Sequence, residues 1–119
     1  MKKIQSAADA YEYSKQFALE EDKEYRLVLI YTKEDGTIVD HQERDKNAAL
    51  VKISPSKDVS RAIIVTNHPS GSSLPDKYDI AETMKMKKLL ELNNIGLTDQ
   101  IIVGYKEFYS YAEESISFI

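Results

Sequence analysis

The sequence contains no cysteine. That absence excludes disulfide cross-links, a thiolate nucleophile and any zinc site built on thiolates. Histidine is confined to His41 and His68. A surplus of positive charge is missing too: the net charge is −4 and the pI about 5.2. A nonspecific grip on nucleic acid needs clustered cations, so this acidity argues against one. No apolar run approaches the length of a membrane span. The first residues, Met1 to Ser6, turn polar at once and lack the apolar core of a signal peptide, so a cytoplasmic location is the expectation. There is no repeat, low-complexity segment or linker. What remains is 119 residues, 42% hydrophobic and 30% charged. This is the balance of one soluble domain, residues 1–119, large enough for a core of its own.

Along the chain, Ser6 followed by Asp9 resembles a capping box, and the apolar positions after it predict a helix over residues 6–21. Tyr25 to Tyr31 is short, apolar and rich in β-formers, so it predicts a central strand. Asp35-Gly36 supplies a hairpin turn, and Thr37 to Gln42 returns as a more polar strand toward an edge. Asn47 to Ile53 predicts a short helix that Ser54-Pro55-Ser56 stops. Ala62 to Val65 predicts a buried strand. A long helix follows from about Asp76 to Asn94, with Ile80, Met84, Leu89, Leu90 and Leu92 as its apolar face and Gly96 as the residue beyond its end. Asp99 to Tyr105 and Phe108 to Tyr111 predict two further strands, joined by a turn at Lys106-Glu107. The alternating end, Ser115 to Ile119, suits an edge strand or a docking tail. The order implies an α/β fold with helices covering a mixed sheet.

The loop from Asn67 to Asp79 joins the predicted strand at Ala62–Val65 to the long helix. It places an imidazole, His68, and a carboxylate, Asp79, at the end of a sheet, where α/β domains carry their sites. Both residues can bind zinc, but a catalytic zinc needs three protein ligands and an open position. The residue two before His68, which projects to the same side of an extended strand, is Thr66. A neutral hydroxyl is a poor zinc ligand. A structural reading stands beside this one: Asp76 suits a helix N-cap and Asp79 the first turn. Glu24 is one of twenty acidic residues, and His41 reads as structural or exposed. The tyrosines in the predicted strands read as core and edge residues.

Asn67-His68-Pro69-Ser70-Gly71, then Pro75, then Asp79-Ile80, resembles the signature of the RadC-like JAB (JAMM/MPN) domains, H-N-H-P-S-G-x-x-x-P-S-x-x-D-I. Leu97 to Gly104 is similar to that family's L-L-D-H-I-I-V-G strand. Tyr109-Ser110-Tyr111 falls at its short Y-V-S-like strand, and Lys23 to Leu29 resembles its R-E-H-F-x-x-L segment. The likeness covers residues 20–114. It implies a three-layer α-β-α domain like the cytidine deaminases. It also implies zinc held by two histidines and one aspartate, a glutamate as general base, a serine assisting at the oxyanion, and hydrolysis of peptide or isopeptide bonds.

Carried over by position, His68 is the second metal histidine, Asp79 the metal carboxylate and Glu24 the general base. Two positions depart: Thr66 stands where the family has its first metal histidine, and Asp76 where it has the assisting serine. Spreading a structural zinc's roughly 10–16 kcal/mol over four ligands gives about 3–4 kcal/mol each, so one lost ligand weakens binding on the order of a hundredfold or more. An ionised Asp76 would repel an oxyanion that needs a donor. The expectation is therefore a JAB domain with a degenerate metal site, zinc weak or absent, serving as a binding or structural module with a protein or peptide partner. An active zinc-dependent peptidase or isopeptidase with a substituted ligand set is the first alternative. A DNA-repair-associated protein, as the RadC label suggests, is the second.

Overall fold

The structure is a computed structural model that describes residues 2–21, 23–45, 53 and 58–116. The short helix expected over residues 47–53, its Ser54-Pro55-Ser56 stop and the last three residues of the alternating tail lie outside the described residues, apart from Ile53.

Five strands form one sheet: β1 (Arg26–Thr32), β2 (Ile38–Asp45), β3 (Arg61–Asn67), β4 (Gly96–Gly104) and β5 (Glu107–Ser110). Their order is β2-β1-β3-β4-β5. The β3–β4 pair is parallel and the other neighbours are antiparallel, so the sheet is mixed. The parallel pair requires a crossover, which α2 (Lys77–Leu92) supplies. The hairpin between β1 and β2 turns at Gly36, whose φ of +91° needs the freedom of glycine. β1 and β3 sit inside the sheet, and all but the first residue of each is buried.

Alternating side chains divide the sheet into two cores. Val28, Ile30, Ile63, Val65, Ile101 and Val103 face α1 (Ala7–Ser14) and the turns after it. Leu29, Tyr31, Ile64 and Leu97 face Met86 and Leu90 of α2. A sheet covered by helices on both faces is the three-layer α-β-α arrangement that the resemblance implies.

The first helix is shorter than expected. It ends at Ser14 and gives way to two 3₁₀ turns, Lys15–Phe17 and Leu19–Glu21, separated by Ala18 at φ +53°. Residues two apart on an α-helix point about 200° apart. Phe17 and Leu19 are nevertheless both buried, which a continuous helix could not achieve. Ser6 caps α1 by accepting from the Asp9 amide, and Asp9 reaches back one residue further than a standard capping box, to the Gln5 amide.

The apolar face expected for α2 is also corrected. Met84, Leu89 and Leu92 are exposed, Leu92 at 81%. The buried stripe is Asp79, Thr83, Met86 and Leu90. Leu90 of the expected face is in it, but half of the stripe is polar, so hydrophobicity alone misses Asp79 and Thr83. Gly96 does not end the helix. Asn94 takes the left-handed position at φ +60°, and Gly96 opens β4. The last turn comes at Tyr105-Lys106, one residue earlier than expected, so Tyr111 follows β5 and is fully buried.

Candidate metal centre

The loop after β3 is pinned on both sides of the sheet edge. Asn67, 1% exposed, turns toward the α1 face. Its Oδ1 accepts from the Arg26 amide at 2.7 Å, and its Nδ2 donates to the carbonyls of Leu19 and Glu24 at 3.0 and 2.9 Å. The Tyr105 amide donates to the Gly71 carbonyl at 2.8 Å. Gly104 permits that approach, because a Cβ there would lie 2.7 Å from the same oxygen. The loop is thereby held against the end of β4.

Asp76 and Asp79 form a reciprocal capping box at the start of α2. The Asp79 amide donates to Asp76 Oδ1 at 2.9 Å and the Asp76 amide to Asp79 Oδ2 at 2.8 Å. Asp76 takes the N-cap role expected of it, and Asp79, expected only to suit the first turn, closes the box as well. It also turns the Asp79 carboxylate toward the loop, where His68 Nε2 lies 2.7 Å from Oδ2. The other ring nitrogen, Nδ1, lies 2.9 Å from the Ser72 carbonyl. A carbonyl only accepts, so Nδ1 carries a proton. One donor atom each from His68, Asp76 and Asp79 lies within 4.8 Å of the others. Burial pushes the Asp79 carboxyl upward, against the opposing pull of the Asp76 amide and His68. Asp76 is exposed, and the amide of Asp79 holds its carboxyl below the usual range.

Thr66 is not one of these donors, although it lines a small cavity together with Asp79. It is buried on the α2 face, and its hydroxyl accepts from Gln100 Nε2 at 3.0 Å. The single proton of the Thr83 hydroxyl is shared between the Asp79 carbonyl at 2.8 Å and Gln100 Oε1 at 3.2 Å. A cavity of about 10 Å³ beside these groups has room for roughly one water. Tyr25 also lines it, and burial pushes its phenol upward. Glu24 is exposed ahead of β1, and its backbone carbonyl anchors Asn67. The second histidine, His41, lies on the α1 side between Tyr13 and Phe17, with its Nδ1 3.0 Å from the Tyr13 hydroxyl.

Of the five residues singled out in the sequence, the fold brings three together. Gln100 and Thr83 were overlooked. Both left a signal: Gln100 is a polar residue inside an apolar strand, and Thr83 is one helical turn beyond Asp79. A larger cavity, about 510 Å³, lies on the α1 side among Tyr11, Leu19, Glu20, Val103 and Lys106, and none of the five lines it.

The zinc implied by the family resemblance calls for two imidazoles and a carboxylate. The donors here do not fit that set. The hydroxyl at position 66 is neutral and already bound by Gln100, and only one imidazole is at the site.

Comparison with known proteins accounts for the strand–loop–helix arrangement. The RadC-like JAB domain family matches residues 4–116. A UPF0758 protein of Chlorobium phaeovibrioides is 32% identical over 122 residues, covering 96% of this chain and 55% of its own. A UPF0758 protein of Streptococcus suis is 47% identical over 102 residues, covering 78% of this chain and 42% of its own. One from Chlorobaculum parvum is 29% identical over 124 residues, covering 97% and 55%. The chain thus spans about half the length of the curated relatives it matches. With the mixed sheet, the parallel β3–β4 pair and the histidine loop leading into a capped helix, the match over nearly the whole chain places this protein in the RadC-like JAB domain family.

Proposed function

We propose that this chain is a JAB domain that no longer hydrolyses peptide bonds and instead serves as a binding or structural module for a protein or peptide. The observation that carries this reading is the engagement of Thr66. Its hydroxyl belongs to a buried chain with Gln100 and Thr83, so the position of the family's first metal histidine offers no ligand. Asp76 adds a second defect. A hydrolytic site needs a donor where negative charge develops, and an ionised carboxylate there opposes that charge.

A second reading, an active metal-dependent peptidase or isopeptidase, draws on the convergence of His68, Asp76 and Asp79. In it Glu24 would be the base that takes a proton from water. One assay separates the two readings. Peptide and isopeptide substrates are incubated with the full chain, with and without chelator. No chelator-sensitive cleavage is the expected result. Cleavage that chelator abolishes, and that Glu24→Gln also abolishes, would establish the peptidase and overturn the proposal. In parallel, Thr66→His is expected to raise zinc affinity on the order of a hundredfold, the worth of one ligand.

A further inference from the structure

We infer that the cavity of about 510 Å³ on the α1 side is a binding site for an arginine side chain of a partner protein, with the Glu20 carboxylate as its anchor. This rests on the binding-module reading above and names the chemistry of the partner. Ligand sites are concave and mostly apolar, carry a few convergent polar groups and enclose about 300–1,000 Å³. The cavity has that make-up. The buried side chains of Leu19 and Val103 line it together with Tyr11, and Glu20, Glu21 and Lys106 supply polar groups.

Its walls are fixed by bonds that need no ligand. Ala18, at φ +53°, separates the two 3₁₀ turns, so Leu19 is buried and Glu20 follows it into the lining. Asn67 Nδ2 holds the Leu19 carbonyl at 3.0 Å. On the β4–β5 turn, the Tyr105 amide beside Lys106 donates to the Gly71 carbonyl at 2.8 Å. Both segments are thereby tied to the loop after β3, and a site shaped in advance spends little of its affinity on ordering.

The charges select the ligand. Glu20 is half-buried, and its Oε2 accepts from the Tyr11 hydroxyl at 3.4 Å and the Lys106 amide at 3.3 Å. Both donors are neutral, so they aim the carboxylate without cancelling its charge. The two ammonium groups nearby are engaged elsewhere. Lys15 Nζ bonds Glu12 Oε1 at 2.8 Å, and Lys106 Nζ lies 5.2 Å from the centre of the Tyr105 ring. Among the described residues neither Glu20 nor Glu21 has an ion-pair partner. A carboxylate held in a cavity without a counter-ion calls for a cation. A guanidinium suits this lining better than an ammonium. Its aliphatic stem packs on Leu19 and Val103, its fork offers several donors to the two carboxylates, and its plane stacks on an aromatic ring. The Tyr11 ring already attracts a cation, with Lys15 Nζ 5.1 Å from its centre.

The test is a titration of the isotope-labelled full chain with N-acetyl-arginine methylamide, followed in amide NMR spectra. Saturable shifts are expected at the amides of Ala18, Leu19, Val103 and Lys106. The citrulline analogue is neutral and nearly the same shape, and it is expected to bind about tenfold more weakly, the worth of a charged hydrogen bond. The lysine analogue should fall between the two. Glu20→Gln removes the charge at constant size and should weaken the arginine analogue by about the same tenfold. The comparison of analogues in the native chain holds whatever the variant's stability. An absence of saturable shifts around the cavity, equal binding of the citrulline or lysine analogue, or unchanged affinity in Glu20→Gln would each overturn the inference. The outcome is separable from the non-hydrolytic reading. Chelator-sensitive peptide cleavage would sink that reading without moving these shifts, and an absence of arginine binding would sink this inference and leave that reading standing.

Discussion

Thr66 and Asn67 are neighbours on β3, yet they finish its two faces in opposite ways. On the α1 face the strand runs from Ile63 through Val65 to Asn67, whose side chain ties Arg26, Leu19 and Glu24 together. Every hydrogen bond named for it ends on backbone, so its work is to shape the edge. On the α2 face the strand runs from Ala62 through Ile64 to Thr66. There the apolar core gives way to a chain of side chains, Thr66, Gln100 and Thr83, that ends at the Asp79 carbonyl. One face uses buried polarity to fix backbone, and the other uses it to support ionisable groups. Among the described residues, the candidate metal-ligating side chains converge on the second face.

The strongest way to break this contrast is to remove the apolar packing on which the α2 face rests. Leu90 is fully buried against the sheet with Leu29, Ile64 and Met86. Leu90→Ala is expected to lower stability by about 3 kcal/mol, the lost transfer energy plus a cavity, read from the urea midpoint at constant slope. A change under about 1 kcal/mol would mean that α2 is held by its polar end and not by its core.

The next test compares the two neighbours directly. Asn67→Ala would leave the Arg26 amide and two carbonyls without their partner, at an expected cost of about 2–3 kcal/mol. Thr66→Val removes one acceptor for Gln100, whose Nε2 also donates to the Ile101 carbonyl at 3.1 Å. Its expected cost is about 1 kcal/mol or less. Equal costs would erase the distinction between a shaping face and a supporting one.

The layers and the loop were legible in the sequence because they rest on strong local signals. The apolar run at Ala62–Val65, the Asp-Gly turn and the Asp76/Asp79 cap each appear close to where they were expected. The site was legible only in part. His68 and Asp79 declare themselves by their spacing, but Asp76 reads equally well as a cap, and it is one. That its donor atom also lies near His68 depends on how the loop folds back through Ser72 and Gly71, which no local pattern encodes. Gln100 and Thr83 come from β4 and α2, and their link to Thr66 spans 34 and 17 residues. The early end of α1 was hidden because Ala18 carries no sign of a left-handed residue.

Buried carboxylates extend the comparison to pH. Asp99 lies toward the α1 face beside Ile4 and Ile63. It accepts from the Ser110 hydroxyl and the Ala112 and Gln100 amides. Burial raises its pKa above the ordinary 3.8 despite those donors. The folded chain then holds this proton to higher pH than the unfolded chain does. Within the window from 3.8 to the raised folded value it binds more protons, so stability falls as pH rises through that window. Asp99→Asn should flatten this part of the stability profile, measured by urea unfolding across the acid range. A profile that keeps its full slope would assign the effect to Asp79 on the opposite face.

The smallest expected effect lies on the outside of α2, and it sharpens the contrast by its size. Leu92 and Leu90 are two residues apart and point about 200° apart on the helix. Hydrophobicity gives them equal standing, but Leu92 is 81% exposed and Leu90 is fully buried. Leu92→Lys touches no core contact and keeps a good helix former at the last position of α2. A cation there also suits the negative end of the helix dipole. Its stability should therefore stay within about 0.5 kcal/mol of the native chain, with any change on the favourable side. A loss approaching that of Leu90→Ala would show that the outer stripe of Tyr78, Met84, Leu89 and Leu92 is covered in solution, and that α2 has apolar contacts on both of its sides.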